Sequence, residues 1–309
     1  MIIHRGLDDL QPIANAVVTS GTFDGVHRGH QTILARLTEV AKTSGGESVL
    51  ITYWPHPRTV VSNDGQELKL LTTLEEKIDL LDQAGVDHLV VIPFTRDFSQ
   101  LSSEEFIRQI LIDKIGTQKL VIGYDHRFGR DREGGFDYIQ AHQSEYGFAV
   151  EEIPRQDVEA VGVSSSKIRN ALNEGNVHTA NLFLGRPYNL TGTIVKGRQL
   201  GRTIGFPTAN LQVDDPAKLV PANGVYAVDV RYGGQLLGGM LNIGFRPTVA
   251  GTHQTIETYI FDFDKDIYGE HMTLQFREFL RPEQKFEGLP TLVAQLKQDE
   301  DAARVVLAQ

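Results

Sequence analysis

The chain has 309 residues, 40% hydrophobic and 23% charged, enough for two ordinary globular domains each with its own core. Its formal net charge of −10 argues against a general nucleic-acid binder, and the lack of cysteine excludes disulfides, thiolate nucleophiles and cysteine-based zinc sites. The opening MIIHRGLDDL has neither the basic region nor the apolar run of a signal peptide, and no stretch approaches about 18 apolar residues; a cytoplasmic protein without a membrane partner is expected.

From residue 16 to about 184, strand and helix patterns alternate. AVVTSG (16–21) predicts a strand, HQTILARLTEVAK (30–42) a helix, and SVLITY (48–53) the next strand. TLEEKIDLLDQAG (73–85) predicts a helix opened by a Thr73-to-Glu76 capping box and closed by glycine. After the strand HLVVIPF (88–94), SSEEFIRQILIDKIG (102–116) repeats that design with Ser102 and Glu105. KLVIGYD (119–125), GGFDYIQAHQSEYG (134–147) and FAVEEIP (148–154) predict strand, helix and strand, and two short helices, SSSKIRNALNEG and NVHTANLFLG, follow. Such alternation means an α/β domain with a parallel sheet covered on both faces. From Leu190 onward the texture becomes short strand-like runs broken by glycine turns, with YGGQ (232–235) as a hairpin signal, and only the last stretch, from GLPTL onward, is helical. That predicts an all-β barrel with a terminal helix, and a boundary near 184–189.

Ligands of open parallel sheets bind beyond the carboxyl ends of the strands, and GTFDGVHRGHQTIL (21–34) lies there. A helix start carries unpaired N–H groups and partial positive charge, so it favours phosphate. Gly29, between His27 and His30, lets a ligand approach the backbone at a helix start expected to be solvent-accessible. Alone, the H-x-x-H spacing equally suits a plain helix cap or half of a metal site. The same edge of the sheet receives Asp125, Arg127 and Arg130 from GYDHRFGRDREGG, and three serines, Lys167 and Arg169 from VSSSKIR. The G-x-G-x-x-G and G-x-x-x-x-G-K-[ST] phosphate signatures are both absent.

GTFDGVHRGH together with SSSKIR resembles the nucleotidyltransferase superfamily, and with GYDHRFG between them the match resembles the bacterial bifunctional riboflavin kinase/FMN adenylyltransferase family. GRQLGRTIGFPTANL (197–211), NGVYAV, LNIGFRPTV and ETYIFDFDKDIYG resemble the riboflavin kinase half of that family, in order. His126 stands where the family often has phenylalanine. The resemblance implies a Rossmann-like nucleotidyltransferase domain over 1–184 and a Greek-key barrel over 185–309. It implies that riboflavin and ATP give FMN and ADP, that FMN and ATP give FAD and pyrophosphate, and that both steps use Mg²⁺. For the first site it implies His27, His30 and Arg169 as catalytic, Gly21, Phe23, Gly29, Ser164, Ser165, Ser166 and Lys167 on ATP, and Asp125 and Arg127 on flavin. For the second it implies ATP contacts from Gly201, Arg202, Gly205, Pro207, Thr208 and Asn210. A protein with one active site, or a flavin-binding regulator on the same scaffold, is the alternative.

The kinase residues suit that chemistry on their own terms. Thr208 and Asn210 offer hard oxygen ligands for Mg²⁺ held jointly with ATP phosphates. Gly197, Gly201 and Gly205 around Arg198 and Arg202 suit a flap over those phosphates, and Glu257, ahead of the apolar run TYIFDF, suits a general base.

Overall fold

The computed structural model describes residues 1–62, 67–123, 126–153, 157–158, 161–197, 199–248 and 251–308. The chain divides into two compact units, 1–165 and 166–309.

The first unit is a Rossmann-like α/β layer structure. Its strands are β1 (Ile2–Arg5), β2 (Ala16–Ser20), β3 (Ser48–Trp54), β4 (His88–Pro93), β5 (Thr117–Gly123) and β6 (Ala149–Ile153). They form one sheet in the order β1-β4-β3-β2-β5-β6, and every pair is parallel. Successive side chains of a strand point to opposite faces, and here both faces are apolar. Ala16, Val18, Val49, Ile51, Val90 and Ile92 join one core cluster, while Val17, Leu50, Leu89, Val91 and Val121 join another. Helices α1 (Arg28–Ser44), the short α2 (Pro57–Val61) and α3 (Leu74–Gln83) follow β2 and β3 in the chain; α1 and α3 supply Leu34, Leu37, Leu74 and Leu81 to the second cluster.

The first cluster is completed by the capped helix at Ser102. It starts as α4 (Ser103–Glu105), with both capping-box hydrogen bonds formed, and continues over Phe106–Ile115 as a π-type helix closed by Gly116. Pairing i with i+5 widens the turn, which brings Phe106, Ile110, Leu111 and Ile115 towards one stripe, and all four are buried. The helix expected over 134–147 is two pieces, α5 (Phe136–Ala141) and α6 (Gln143–Tyr146), because His142 leaves helical geometry between them. The hairpin β7 (Asp157–Val158) and β8 (Val161–Gly162) precedes α7 (Ser165–Asn173), within which the division between the units falls.

In the second unit α8 (Val177–Leu184) is tied to the barrel through Asn181, whose Nδ2 donates to the Phe276 carbonyl (2.8 Å) while its Oδ1 accepts from Tyr188 N (2.7 Å). The remaining elements are β9 (Asn189–Val195), α9 (Leu200–Thr203), β10 (Ala209–Val213), β11 (Gly224–Tyr232), β12 (Gln235–Thr248), β13 (Gly251–Ile260), β14 (His271–Arg281) and α10 (Leu289–Leu307). The six strands close an antiparallel barrel in the order β10-β13-β12-β11-β14-β9. Three consecutive hairpin-linked strands with the fourth returning beside the first make this a Greek key, as expected. The β11–β12 turn has Gly233 and Gly234 at φ 55° and 78°, the two left-handed positions of a tight hairpin.

Helix α10 packs Val293, Leu296, Ala303 and Val306 against Phe206, Ala227, Met240 and Phe261. It is pinned to β14 by a fork of two bonds from Arg281 to buried Asp299 (2.8 and 2.7 Å), with Gln295 donating to the same carboxylate (2.9 Å). Removing one partner of such a pair strands the other charge, which typically costs about 3–5 kcal/mol. Asp299→Ala is expected to destabilise the second unit by about 3 kcal/mol in guanidinium unfolding. An unchanged midpoint would mean that the apolar face alone holds α10.

Candidate active sites

In the strand order of the first unit, the connection leaving β2 runs to β3 on one side while β5 lies on the other, so a crevice opens at their carboxyl ends. The turn from β2 into α1 lies there. Two non-glycine residues, Phe23 (φ 46°) and Val26 (φ 39°), and Gly25 (φ 82°) are left-handed. Such backbone persists only where its surroundings over-determine it. The Asp24 carboxylate, 1% exposed, accepts from Leu71 N (3.0 Å), Thr72 N (3.1 Å) and Thr72 Oγ1 (3.2 Å). Gln31 Nε2 donates to the Val26 carbonyl (2.8 Å), and Ser165 Oγ to the Asp24 carbonyl (3.0 Å). The Thr22 carbonyl accepts from Lys77 Nζ (2.7 Å) and Thr52 Oγ1 (3.2 Å).

His27 caps α1: its Nδ1 accepts from His30 N (3.3 Å). A neutral His27 therefore carries its proton on Nε2. The His27 and His30 rings stack at 3.6 Å between centroids, and Phe23 lies 4.7 Å from His30. A Cβ on Gly29 would stand 3.3 Å from the His27 ring, and one on Gly21 3.1 Å from the Phe23 ring. These glycines thus make room for the rings themselves, and the helix start is less open than expected, with His27 only 6% exposed. Burial, with His27 and Lys77 adding to it, holds the His30 pKa well below its ordinary 6.5. At neutral pH His30 is an uncharged donor rather than a cation. Its Nδ1 is buried and has no hydrogen-bond partner among the described residues.

The turn thus brings together Gly21, Phe23, His27, Gly29, His30 and Ser165, with Ser164 beside it in sequence in the same unit. Ser166, Lys167 and Arg169 belong to the second unit. Asp125 lies outside the described residues; Arg127 is exposed and donates from Nη1 to the His126 carbonyl (3.0 Å). His126 meets Ser20 at the end of β2 (Nε2 to Oγ 2.9 Å), and Ser20 also bonds the phenol of Tyr53, whose pKa burial pushes up. Ser20, Tyr53 and Lys77 escape sequence reading, since each sits in an ordinary strand or amphipathic helix pattern.

In the second unit β10 and β13 pair so that Ala209 faces Thr258 and Asn210 faces Glu257, with Asn242 of β12 on Glu257's other side. Because residues alternate across a strand, the Asn210–Glu257 pair stands on the face opposite Ala209–Thr258. A cleft of about 210 Å³ opens on the latter face, walled by Arg202, Pro207, Thr208 and the segment from Phe263 to Tyr268. Thr208 and Arg202 line it, and its lining does not include Asn210 or Glu257. Gly197 lies so close that a Cβ would stand 2.4 Å from Asn210 Nδ2, and one on Gly201 would stand 2.1 Å from the Phe206 carbonyl. Gly205, at φ 85°, makes the turn between them. Arg198 lies outside the described residues. The 263–268 wall is a contributor that the motif reading leaves without a role; Tyr268 accepts a bond from Gln199 Nε2 (3.2 Å) and lies under Lys196 (5.7 Å).

With this geometry in view, comparison with known proteins is informative. An FAD synthetase family model matches residues 10–167, and a riboflavin kinase model matches 184–307. The chain is 39% identical to the bifunctional riboflavin kinase/FMN adenylyltransferase of Pseudomonas fluorescens, covering 100% of this chain and 98% of that one. It is 38% identical to the protein of the same name from Escherichia coli, over 98% and 97% of the two chains. A solved structure from Streptococcus pneumoniae, described as a macrolide-efflux protein, superposes with a TM-score of 0.91 at 32% identity, over 98% of this chain and 99% of that one. Among the described residues no helix is long and apolar enough to cross a membrane. Two family models in tandem, over the two units whose sites are described above, show that the chain belongs to the bifunctional riboflavin kinase/FMN adenylyltransferase family.

Proposed function

We propose that the chain adenylylates FMN at the His27–His30 helix start and phosphorylates riboflavin with Glu257 as general base, each reaction using ATP with Mg²⁺. The observation that supports the first assignment best is the buried, unpartnered Nδ1 of His30 beside a helix start at the carboxyl edge of a parallel sheet. A polar atom left in that condition is satisfied by a ligand.

The two reactions ask for different chemistry. The FMN phosphate has a second pKa of about 6, so it arrives at neutral pH largely dianionic and needs no base. One of its oxygens attacks the α-phosphorus of ATP, and pyrophosphate leaves. The neutral His30 imidazole, His27 and the helix N–H groups orient the phosphates and offset the charge on the leaving group. Gly21, Phe23, Gly29, Ser164 and Ser165 shape this pocket, and Asp125 and Arg127 contact the flavin. In the kinase a riboflavin hydroxyl attacks the γ-phosphorus, its proton passes to Glu257, and ADP leaves. Gly201, Arg202, Gly205 and Pro207 cover the phosphates.

The donor set fits magnesium. Thr208 offers a hydroxyl, and the Asn210 amide sits in a cradle that a Cβ on Gly197 would fill. Among the described residues no group of three or more His, Asp or Glu forms a cage of its own. Bound there, magnesium would neutralise charge on the phosphates.

The paired activities supply their own controls. Glu257→Gln is expected to lower kcat for riboflavin phosphorylation by roughly 10²–10⁴ and leave FAD formation from supplied FMN unchanged. Phosphorylation within about threefold of the parent would remove Glu257 from the mechanism. His30→Ala is expected to cut FAD formation by about 100-fold or more with FMN formation intact. The same residue predicts an acid response. Because folding lowers its pKa, the unfolded chain binds the proton more readily, so the first unit loses stability as pH falls below about 6.5. His30→Ala should flatten that limb in thermal melts between pH 7 and 5; an unchanged limb would place the protonation elsewhere.

We place all the kinase residues within 185–309, with α7 and α8 as structural support. A fragment of 185–309 should make FMN but no FAD, and should melt below a fragment of 166–309, which keeps both Asn181 bonds. A folded 185–309 fragment unable to phosphorylate riboflavin would move the functional boundary upstream.

A further inference from the structure

Lys77 belongs to the amphipathic helix α3, yet it is 2% exposed. An ammonium is rarely buried unless something holds it. Here its Nζ donates to the Thr22 carbonyl at 2.7 Å and lies 5.5 Å from the centre of the Trp54 ring. Thr22 opens the strained turn that ends at His27, and Thr52 of β3 donates to the same carbonyl. The charged or titratable groups that act on it are Asp24 on the turn and His30 at the start of α1. The phosphate chemistry described above gives this buried cation no part.

We propose that Lys77 is a positioning residue of the FMN adenylyltransferase site: its ammonium, anchored on Thr22, fixes the turn that aims the His27–His30 helix start at the ATP phosphates. This rests on reading that helix start as the phosphate clamp. The turn has two left-handed non-glycine residues that would relax if released, and a shift of about 1 Å in a positioning element can cost 100-fold in rate. A tether made by a charged donor is stronger than a neutral one, which gives the site a reason to retain a cation in a dry place.

The protonation state of Lys77 separates this role from plain structural support. Burial pushes its pKa down to about 8, with Asp24 partly offsetting the fall. Above that pH the tether loses its charge and FAD formation should decline. Global stability moves the other way: between about pH 8 and 10.5 the unfolded chain binds more protons at this site, so the Lys77 contribution to stability rises with pH. A rate that falls in that window without a falling melting temperature is not unfolding. Trp54, the single tryptophan of the chain, reports the same titration by fluorescence.

The test uses the full-length chain with Lys77→Met, Lys77→Arg and His30→Ala, assayed for both reactions from pH 6 to 10. Lys77→Met should lower kcat for FAD by about 10- to 100-fold, with riboflavin phosphorylation unchanged and the fluorescence transition near pH 8 abolished. Lys77→Arg, charged throughout, should recover FAD formation and abolish the alkaline decline. If His30→Ala is inactive while Lys77→Met makes FAD within about threefold of the parent, this inference fails and the clamp reading stands. If His30→Ala itself makes FAD within that range, the clamp reading fails. Should Lys77→Met keep the parental alkaline midpoint or the fluorescence transition, the titrating group is another residue and the inference is overturned.

Discussion

The adenylyltransferase unit depends on a turn that its own backbone disfavours. Seven residues must carry the chain from the end of β2 into α1, and Phe23 and Val26 adopt left-handed geometry to do so. What holds them is a set of buried polar groups from distant parts of the chain: Asp24 on the 71–72 backbone, Lys77 and Thr52 on Thr22, and Ser165 on the Asp24 carbonyl. The outcome of that constraint is a helix start whose first side chains are stacked and fixed before any nucleotide arrives. Preorganised donors act on developing charge without reorganising, and a helix start held in this way is suited to that task.

The kinase unit reaches the same end by pairing rather than by strain. Barrel closure makes β10 and β13 neighbours although the facing Asn210 and Glu257 lie 47 positions apart in sequence. The ladder then sets Ala209 and Thr258 on the cleft face and the Asn210–Glu257 pair on the other, with Thr208 lining the cleft just ahead of β10. Glycines at 197 and 201 matter because the covering segment lies directly on Asn210 and Phe206.

Much of this was legible in the chain, for identifiable reasons. The central strands are apolar on both faces, so they read as continuous Val/Ile/Leu runs, and the capping boxes at Thr73 and Ser102 formed as their spacing requires. The edge strand β1 was missed because its Ile2 and Ile3 are 57% and 41% exposed, so no buried face gives it a pattern. The H-x-x-H pair is legible from its place between strand and helix, yet the neutral state of His30 is not, since that depends on burial and on the charges folded around it. Lys77 was invisible for the same reason: a lysine in TLEEKIDLL looks like any solvent-facing charge, and only the three-dimensional course of residues 21–27 turns it inward.

A chain of net charge −10 that must bring two polyanions together has to solve its electrostatics locally. In the first unit His30 does not solve it by charge, because burial keeps it neutral, and the buried Lys77 ammonium has the Asp24 carboxylate nearby. What remains is direction: helix N–H groups and an imidazole at the end of a turn tied down by buried polar groups. Oriented dipoles favour an anion in one place and one pose, whereas a cluster of exposed cations would hold any phosphate in many. For a transfer that succeeds only when an FMN oxygen lines up with the α-phosphorus of ATP, pose is the scarcer quantity, and a neutral, strained, tightly tethered helix start supplies it.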